Sequence, residues 1–167
     1  MTPSVRNTPK APNAPWKIQS RIFGLLEITE DQQVTLPEGL VGFPACHTFA
    51  LLPAGQPGFS WLQSLEEETL AFLLVDPFVY FPEFSIDVPS PMLSKLETTE
   101  AAHVSVQAVV TLGGADSGAT ANLQGPVLLN VQKRCGYQYV SEHAEWGTRA
   151  PIVTDRVKAS SASVATL

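Results

Sequence analysis

Short apolar stretches, each interrupted by glycine, proline or polar residues, recur along the chain and predict β-strands. In residues 103–111 valine or alanine occupies every second position from Val104 to Val110. Apolar residues at alternate positions are typical of a strand that buries one face. We therefore expect these residues to face the core and Ser105 and Gln107 to face the solvent.

A second strand pattern is a continuous apolar run, residues 70–75, which Pro77 follows. A run of this length without polar positions indicates a strand that is covered on both faces. Leu73 at its centre is expected to be buried. The remaining strands are predicted at residues 21–28, 34–36, 48–53, 59–64, 120–123, 127–131 and 137–140.

One helix is predicted, beginning at Ser90 and Pro91. Serine is a favourable N-cap and proline is favourable in the first helical turn, and Leu93 and Leu96 then share one face. Fourteen prolines and eleven glycines argue against a helical bundle. Many short strands with regular turn signals favour a mainly β fold, a small antiparallel β-barrel-like single domain with one short helix.

The chain ends differ in composition from the middle. Residues 1–17 contain four prolines and only basic charges, which predicts a disordered, proline-rich basic arm. Residues 153–167 are rich in serine and alanine and predict a disordered tail. The folded β domain is therefore expected over residues 18–152, and 167 residues suit one domain.

Charge is distributed unevenly along the chain. The net charge is −6, yet residues 22–132 carry thirteen acidic side chains and one basic side chain, Lys95. Such a surface does not favour direct contact with nucleic acid phosphates. The acidic middle either serves solubility or attracts a basic protein partner over about a Debye length, ~8–10 Å.

The sequence indicates a cytoplasmic protein without a membrane segment. No apolar run reaches the roughly 18 residues of a transmembrane helix, and the N-terminal residues lack the apolar part of a secretory signal. Cys46 and Cys135 are therefore expected to be reduced thiols. The three histidines, His47, His103 and His143, have no metal-ligand spacing, so no metal or other cofactor is predicted.

Two alternatives to a binding protein remain open at the level of sequence. The first is a cysteine-dependent enzyme with Cys46 as nucleophile or His143 as base, although no local signature supports it. The adjacent Gly113 and Gly114 lack the ending of a phosphate-binding loop and predict a hairpin loop. The second alternative is a β-barrel that holds a small ligand among the aromatic side chains of Trp61, Phe72 and Tyr80.

Residues 76–87 (DPFVYFPEFSID) contain three acids in a stretch that is rich in aromatic residues and proline. Aromatic side chains beside charges are typical of protein interfaces, because rings offer a large contact area at low entropic cost. Glu83 and Asp87 are candidate contacts, with Phe81 and Phe84 as apolar anchors. The alternative is that the rings belong to the core and the acids to turns.

Three consecutive acids, Glu66, Glu67 and Glu68, form a second acidic stretch. They could supply a pair of carboxylates, a helix first turn or a solvated face. We include them among the candidate contacts for a basic partner.

Four sequence segments stand out by their order and spacing. The segments are 39–43 (GLVGF); 62–66 (LQSLE) with 70–72 (LAF) and 76–77 (DP); 81–84 (FPEF); and 120–127 (TANLQGPV) extending to Asn130. In this order and spacing, over about residues 20–150, they resemble the flagellar assembly factor (FliW) family. Residues 83 and 84 depart from the family pattern, which usually has Asp-Tyr there, and Val41 stands where the family often has proline.

The resemblance implies a small, non-enzymatic, monomeric cytoplasmic protein with two protein partners. These partners are flagellin and the carbon storage regulator CsrA, a basic RNA-binding dimer. Binding to CsrA would prevent CsrA from repressing flagellin translation, and newly made flagellin would capture the FliW-like protein and free CsrA. The partner-binding candidates on this chain are Phe81, Glu83, Phe84, Asp87, Glu66, Glu67 and Glu68.

Overall fold

The computed structural model describes residues 15–114, 117–142 and 145–153. These residues contain ten strands and two short α-helices. The helices are α1 (Pro77–Tyr80) and α2 (Ser90–Lys95), and 3₁₀ turns lie at Glu30–Gln32 and Ala101–His103. The strands are β1 Trp16–Ser20, β2 Gly24–Ile28, β3 Gln33–Thr35, β4 Thr48–Pro53, β5 Phe59–Ser64, β6 Ala71–Val75, β7 Val104–Thr111, β8 Thr120–Asn130, β9 Cys135–Gln138 and β10 Ala150–Pro151.

Strand β9 closes a barrel of seven strands. It pairs in parallel with β3, at Thr35 and Cys135, and antiparallel with the second half of β8. The ring runs β8, β7, β6, β5, β4, β3, β9 and back to β8. Strand β10 pairs with the first half of β8, and β1 and β2 form a separate hairpin. The predicted mainly β, barrel-like fold is confirmed.

One face of these strands forms the barrel interior. Val34 of β3 pairs with Phe49 of β4, whereas the neighbouring Gln33 and Thr35 line a polar surface hollow with Lys133 and Arg134. Gly136 on β9 permits close packing, because a Cβ there would collide with the Leu129 side chain. The buried interior residues are Val34, Leu36, Leu40, Phe49, Leu62, Leu74, Val127 and Leu129.

The opposite face carries a larger apolar cluster, which α1, α2 and the segments around them cover. Leu73 lies in it and is buried, as its sequence context predicts. Asn130 at the end of β8 donates a 2.7 Å hydrogen bond to the carbonyl of Leu96, which joins α2 to the barrel. The alternation in β7 places Val106, Ala108 and Val110 in this cluster.

The prediction that Ser105 and Gln107 face solvent is wrong. Both are only partly exposed, and they pair with Leu129 and Val127, which belong to the barrel interior. A closed barrel has no solvated sheet face on its inside, so alternate residues of β7 enter two different apolar environments. The side-chain amide N–H of Gln107 donates a hydrogen bond to the Ser105 hydroxyl, 3.1 Å away, so the amide nitrogen has a partner.

The N-terminal strand prediction also needs correction. Residues 21–28 do not form one strand, since β1 ends at Ser20 and β2 begins at Gly24. The Ser20 hydroxyl accepts hydrogen bonds from the backbone N–H groups of Ile22 and Phe23, which closes the turn. Strand β1 begins at Trp16, within the segment predicted to be an arm; residues 1–14 lie outside the described part.

Three further boundaries differ from the sequence-based predictions. A second short helix, α1, forms after β6, because the carboxylate of Asp76 caps it and Pro77 fits its first position. Ser90 is the first residue of α2 rather than its cap, which is Pro89. Strand β8 runs through Gly125 and Pro126 as one strand, although its register with β7 shifts between Asn122 and Val127. Within the described residues no helix has the length and apolarity to cross a bilayer.

The barrel interior provides a stability prediction. Leu74 is fully buried in the interior cluster, which also contains Leu62 and Val127, so Leu74→Ala should lower the free energy of unfolding by about 2–5 kcal/mol. Chemical denaturation measures this loss. Val131→Ala, at an exposed turn position, is the control and should cost less than about 0.5 kcal/mol. Equal effects of the two substitutions would contradict the assigned interior.

Candidate functional site

The aromatic and acidic stretch of residues 76–87 folds as a capped helical turn followed by a segment without regular secondary structure. Asp76 accepts a 2.9 Å hydrogen bond from the N–H of Phe78 and begins α1. The N–H of Phe81 then bonds the carbonyl of Pro77, and that of Phe84 bonds the carbonyl of Phe81. Residues 85–89 have no regular secondary structure and lead to α2, and Pro89 has extended dihedral angles.

Phe84 is a core residue and not an exposed anchor, which corrects the sequence-based expectation. Its side chain is only 5% exposed, and its ring lies 5.2 Å from the rings of both Phe78 and Trp146. Phe81 is partly buried and packs against the same cluster. The large apolar surface at this place belongs to Phe78, which is 52% exposed, and Val79, which is 48% exposed.

A groove of about 390 Å³ runs beside this segment. Two parts of the chain that are far apart in sequence form its walls. Its described lining residues are Phe84, Ser85, Ile86, Asp87, Val88, Pro89, Leu123, Tyr139, Ser141, Glu145 and Trp146.

The charges at this groove are acidic. Asp87 and Glu145 lie in the lining, and Glu83 is exposed at the turn that precedes Phe84. None of the described lining residues is basic. Lys95, the one base in the acidic middle of the chain, instead donates a 2.7 Å hydrogen bond to Glu38, a contact that raises the pKa of Lys95.

The backbone along the groove is available for pairing. Among the described residues, no hydrogen bond involves the backbone groups of residues 85–88, which lie outside the strands and helices. Unpaired backbone N–H and C=O groups can bind an extended chain, as at a sheet edge. The groove therefore combines acidic side chains, aromatic walls and free backbone groups.

The second acidic stretch lies at the other end of β6. Glu66, Glu67 and Glu68 precede the strand, whereas Glu83 and Asp87 follow it. Five strand residues at about 3.3 Å each place the two ends of β6 ~16 Å apart. The structure therefore does not bring the two acidic stretches together.

Glu66 has an internal role that the sequence did not reveal. Its carboxylate accepts hydrogen bonds from the Thr48 hydroxyl at 2.8 Å, the Thr48 N–H at 3.0 Å and the His47 N–H at 3.1 Å. These bonds fix the beginning of β4. The Thr48 hydroxyl bond and then the His47 N–H bond lower the pKa of the Glu66 carboxyl below its ordinary value.

The described residues show no arrangement for nucleophilic or metal chemistry. Cys46 and Cys135 are both free thiols, and burial raises the pKa of the Cys135 thiol. The ring of His47 bonds the Pro44 carbonyl, and His143 lies outside the described residues. No group of three or more potential metal ligands occurs within the described ranges.

Two of the three residues proposed to hold a small ligand line one cavity. Trp61 and Phe72 both border an apolar hollow of about 540 Å³ between β6 and β7. Tyr80 does not line this hollow, and its hydroxyl donates to the Pro57 carbonyl at 2.8 Å. The structure therefore does not bring the three aromatic side chains together in one site.

The comparisons with known proteins agree on one family. The model of the FliW protein family matches residues 17–152. The chain is 35% identical over 139 residues to the flagellar assembly factor FliW of Treponema denticola, covering 83% of this chain and 95% of that protein. The corresponding protein of Geobacillus thermodenitrificans is 33% identical over 141 residues, covering 84% and 98%.

A solved structure gives the same result. It is a crystal structure of the flagellar assembly factor FliW, with a TM-score of 0.75 and 33% sequence identity, covering 81% of this chain and 96% of that one. The chain belongs to the FliW family. The resemblance that the four sequence segments indicated is therefore confirmed, and the FliW family is one of flagellar assembly factors, with no enzyme among the relatives described here.

The four FliW-like segments are spread over the barrel and its loops and do not form one small site. Residues 39–43 form a tight loop in which Leu40 and Phe43 make an isolated bridge. Gly39 adopts a φ of 66° there, and a Cβ at this position would collide with the Phe43 carbonyl. Residues 81–84 form the turn at the groove, and Thr120–Asn130 is β8.

Several groove residues were not identified from the sequence. Tyr139, Glu145 and Trp146 follow Phe84 by 55 to 62 residues in the sequence, and no local pattern links them. The one available signal is composition, because a tryptophan beside an acid in a polar segment (residues 145–147, EWG) is unusual for a plain loop.

The Glu66 contacts predict a pH-dependent contribution to stability. Because folding lowers the pKa of this carboxyl, its contribution is present above the ordinary value of 4.5 and is lost as the pH falls through the lowered value. Glu66→Gln should therefore lower the melting temperature near neutral pH, and the difference from wild type should shrink towards about pH 3.

Thermal melts of wild type, Glu66→Gln and Glu68→Gln across this pH range measure the effect. Glu68 is the control, because its side chain makes none of the bonds that fix β4. A melting difference for Glu66→Gln that stays constant from neutral to acidic pH would contradict the assigned role.

Proposed function

We propose that this FliW-family protein binds flagellin and, in its other state, binds and antagonises the translational repressor CsrA. By exchanging these partners in the cytoplasm, it couples flagellin synthesis to flagellin export. The observation that carries the proposal on the CsrA side is the acidic groove, which has no basic residue in its described lining and free backbone groups along residues 85–88.

Charge complementarity supports the choice of a basic partner for this groove. Glu83, Asp87 and Glu145 present carboxylates at one place on a surface whose central segment is strongly acidic. Such a field raises the rate of encounter with a basic RNA-binding protein and fixes its orientation. Binding would keep that protein away from its RNA without any nucleic acid contact by this chain.

The apolar contacts at the groove come from residues that already have fixed positions. The ring of Phe84 contacts the rings of Phe78 and Trp146, and Phe81 packs against the outer apolar cluster. A rigid aromatic floor loses little conformational entropy on binding. In this proposal Glu83 and Asp87 make the polar contacts, Phe78 and Trp146 supply the apolar area, and the protein acts as a monomer.

Charge reversal at the groove tests the proposal. The double variant Glu83→Lys, Asp87→Lys should lower the association rate constant for purified CsrA by about tenfold or more at low salt. It should also weaken the dependence of that rate on ionic strength, because fewer attractive charge pairs remain. Binding to surface-immobilised CsrA, and stopped-flow association in solution, measure the rate constant. Repeating these measurements at several salt concentrations gives its dependence on ionic strength.

The control variant carries an acid-to-lysine charge reversal outside the groove. Asp31→Lys alters an exposed acid at the 3₁₀ turn before β3 and should leave the association rate within about twofold. An unchanged rate for the double variant, or an equal loss in the control, would remove the groove from the proposal. Absence of any binding by wild type to CsrA and to flagellin would contradict the function itself.

A further inference from the structure

The N-terminal residues of the sequence repeat with a period of three. Proline stands at positions 3, 9, 12 and 15, and the remaining position of this series is Arg6. A polyproline II helix has three residues per turn, so in that conformation the four prolines and Arg6 share one edge. Residues 1–14 carry two basic side chains, Arg6 and Lys10, and no acid. The sequence of this segment therefore combines a proline edge with positive charge.

The aromatic wall of the acidic groove has the chemistry that recognises such a segment. Proline-rich segments bind grooves lined with aromatic side chains, because their polyproline II conformation is preformed and little entropy is lost on binding. Tyr139 and Trp146 supply aromatic surface in this groove, and both are only partly buried. Their O–H and N–H groups are donors, which suits the backbone carbonyl groups that a polyproline II helix leaves without internal partners.

The carboxylates of the groove complement the charge of the segment. Asp87 and Glu145 are exposed in the groove lining. Neither forms an ion pair with a cation in the described part of the chain, where the four ion pairs involve other acids. An arginine guanidinium binds a carboxylate through two parallel hydrogen bonds. Arg6, on the same edge as the prolines, supplies the cation that the described lining lacks.

The length of chain before β1 permits this contact. Phe23, in the turn of the β1–β2 hairpin, packs against the same outer cluster as Phe84 and Trp146 of the groove. Counting back from Trp16 at about 3.1 Å per residue, Pro9 lies within ~22 Å and Arg6 within ~31 Å. A domain of about 135 residues has a radius of gyration of ~14 Å, so this reach is comparable to the width of the domain.

We propose that residues 6–12 (RNTPKAP) dock in the acidic groove of their own chain as a polyproline II segment and inhibit its binding to the basic partner. The proline edge would stack on Tyr139 and Trp146, while Arg6 would pair with the carboxylates. The segment then occupies the place that the partner needs and lowers the partner's apparent affinity. The inhibition rests on the proposed function, whereas the docking itself concerns this chain alone.

The C-terminal residues are the other segment of this chain that could fill the groove. They follow β10, which pairs with β8, and Leu123 of β8 lines the groove. However, residues 154–167 contain no proline, and Asp155 accompanies their two basic side chains, Arg156 and Lys158. Proline content and charge therefore favour residues 6–12 as the occupant, and the experiment below separates the two segments.

Two-dimensional NMR spectra of the full chain without any partner test the docking. The variant Arg6→Glu, Lys10→Glu replaces attraction to the groove by repulsion, so the segment should leave the groove. The amide resonances of residues 85–88 and the indole N–H resonance of Trp146 should then move from their wild-type positions. High salt should move the same resonances of the wild-type chain in the same direction, because it screens the attraction.

The matched control makes the same change of charge near the other end of the chain. Arg156→Glu, Lys158→Glu should leave the groove resonances at their wild-type positions. Unmoved resonances in the N-terminal variant, or an equal or larger movement in the C-terminal variant, would overturn the inference. Positions that depend on protein concentration would mean that a second copy supplies the segment, which would also overturn docking within one chain.

Affinity for CsrA tests the inhibition. Pro9→Ala, Pro12→Ala removes the proline edge without a change of charge and should raise the affinity for CsrA about fivefold or more, because the groove becomes free. Pro3→Ala, outside residues 6–12, is the control and should stay within about twofold of wild type. Equal affinity in the double variant and wild type would overturn the inhibition. If wild type binds no CsrA, the proposed function fails, while the NMR resonances still decide whether residues 6–12 dock.

Discussion

The pairing of β9 with both β3 and β8 is the constraint on which the rest of the structure depends. Without it the strands from β3 to β8 would form an open sheet with two exposed edges. Gly136 makes this closure possible, because its missing side chain leaves room for Leu129 inside the barrel. Closure then separates the apolar residues into an interior cluster and an outer cluster.

The outer cluster determines where the acidic groove lies. The chain after β6 covers it with α1, the aromatic turn and α2, and the loop after β9 meets this covering at Trp146. The groove lies between these two coverings. Strand β6 leads at Asp76 directly into the groove segment.

The sequence predicted the strands well where local pattern determines them. The alternation in β7 and the apolar run of β6 depend on neighbouring residues, and both strands form as expected. The burial of Phe84 was not predictable in this way, because it results from contact with Trp146, which is distant in sequence. The inward position of Ser105 and Gln107 follows from barrel closure, which no local window contains. Glu66 likewise bonds residues almost twenty positions away.

The central claim is that a preformed β-barrel acts by docking two proteins in turn. Size-exclusion chromatography of the purified chain with CsrA, repeated after addition of flagellin, tests it most directly. The account predicts co-elution with CsrA, and transfer of the chain to a flagellin complex with release of CsrA when flagellin is added. Elution of the chain alone in both experiments would contradict the account.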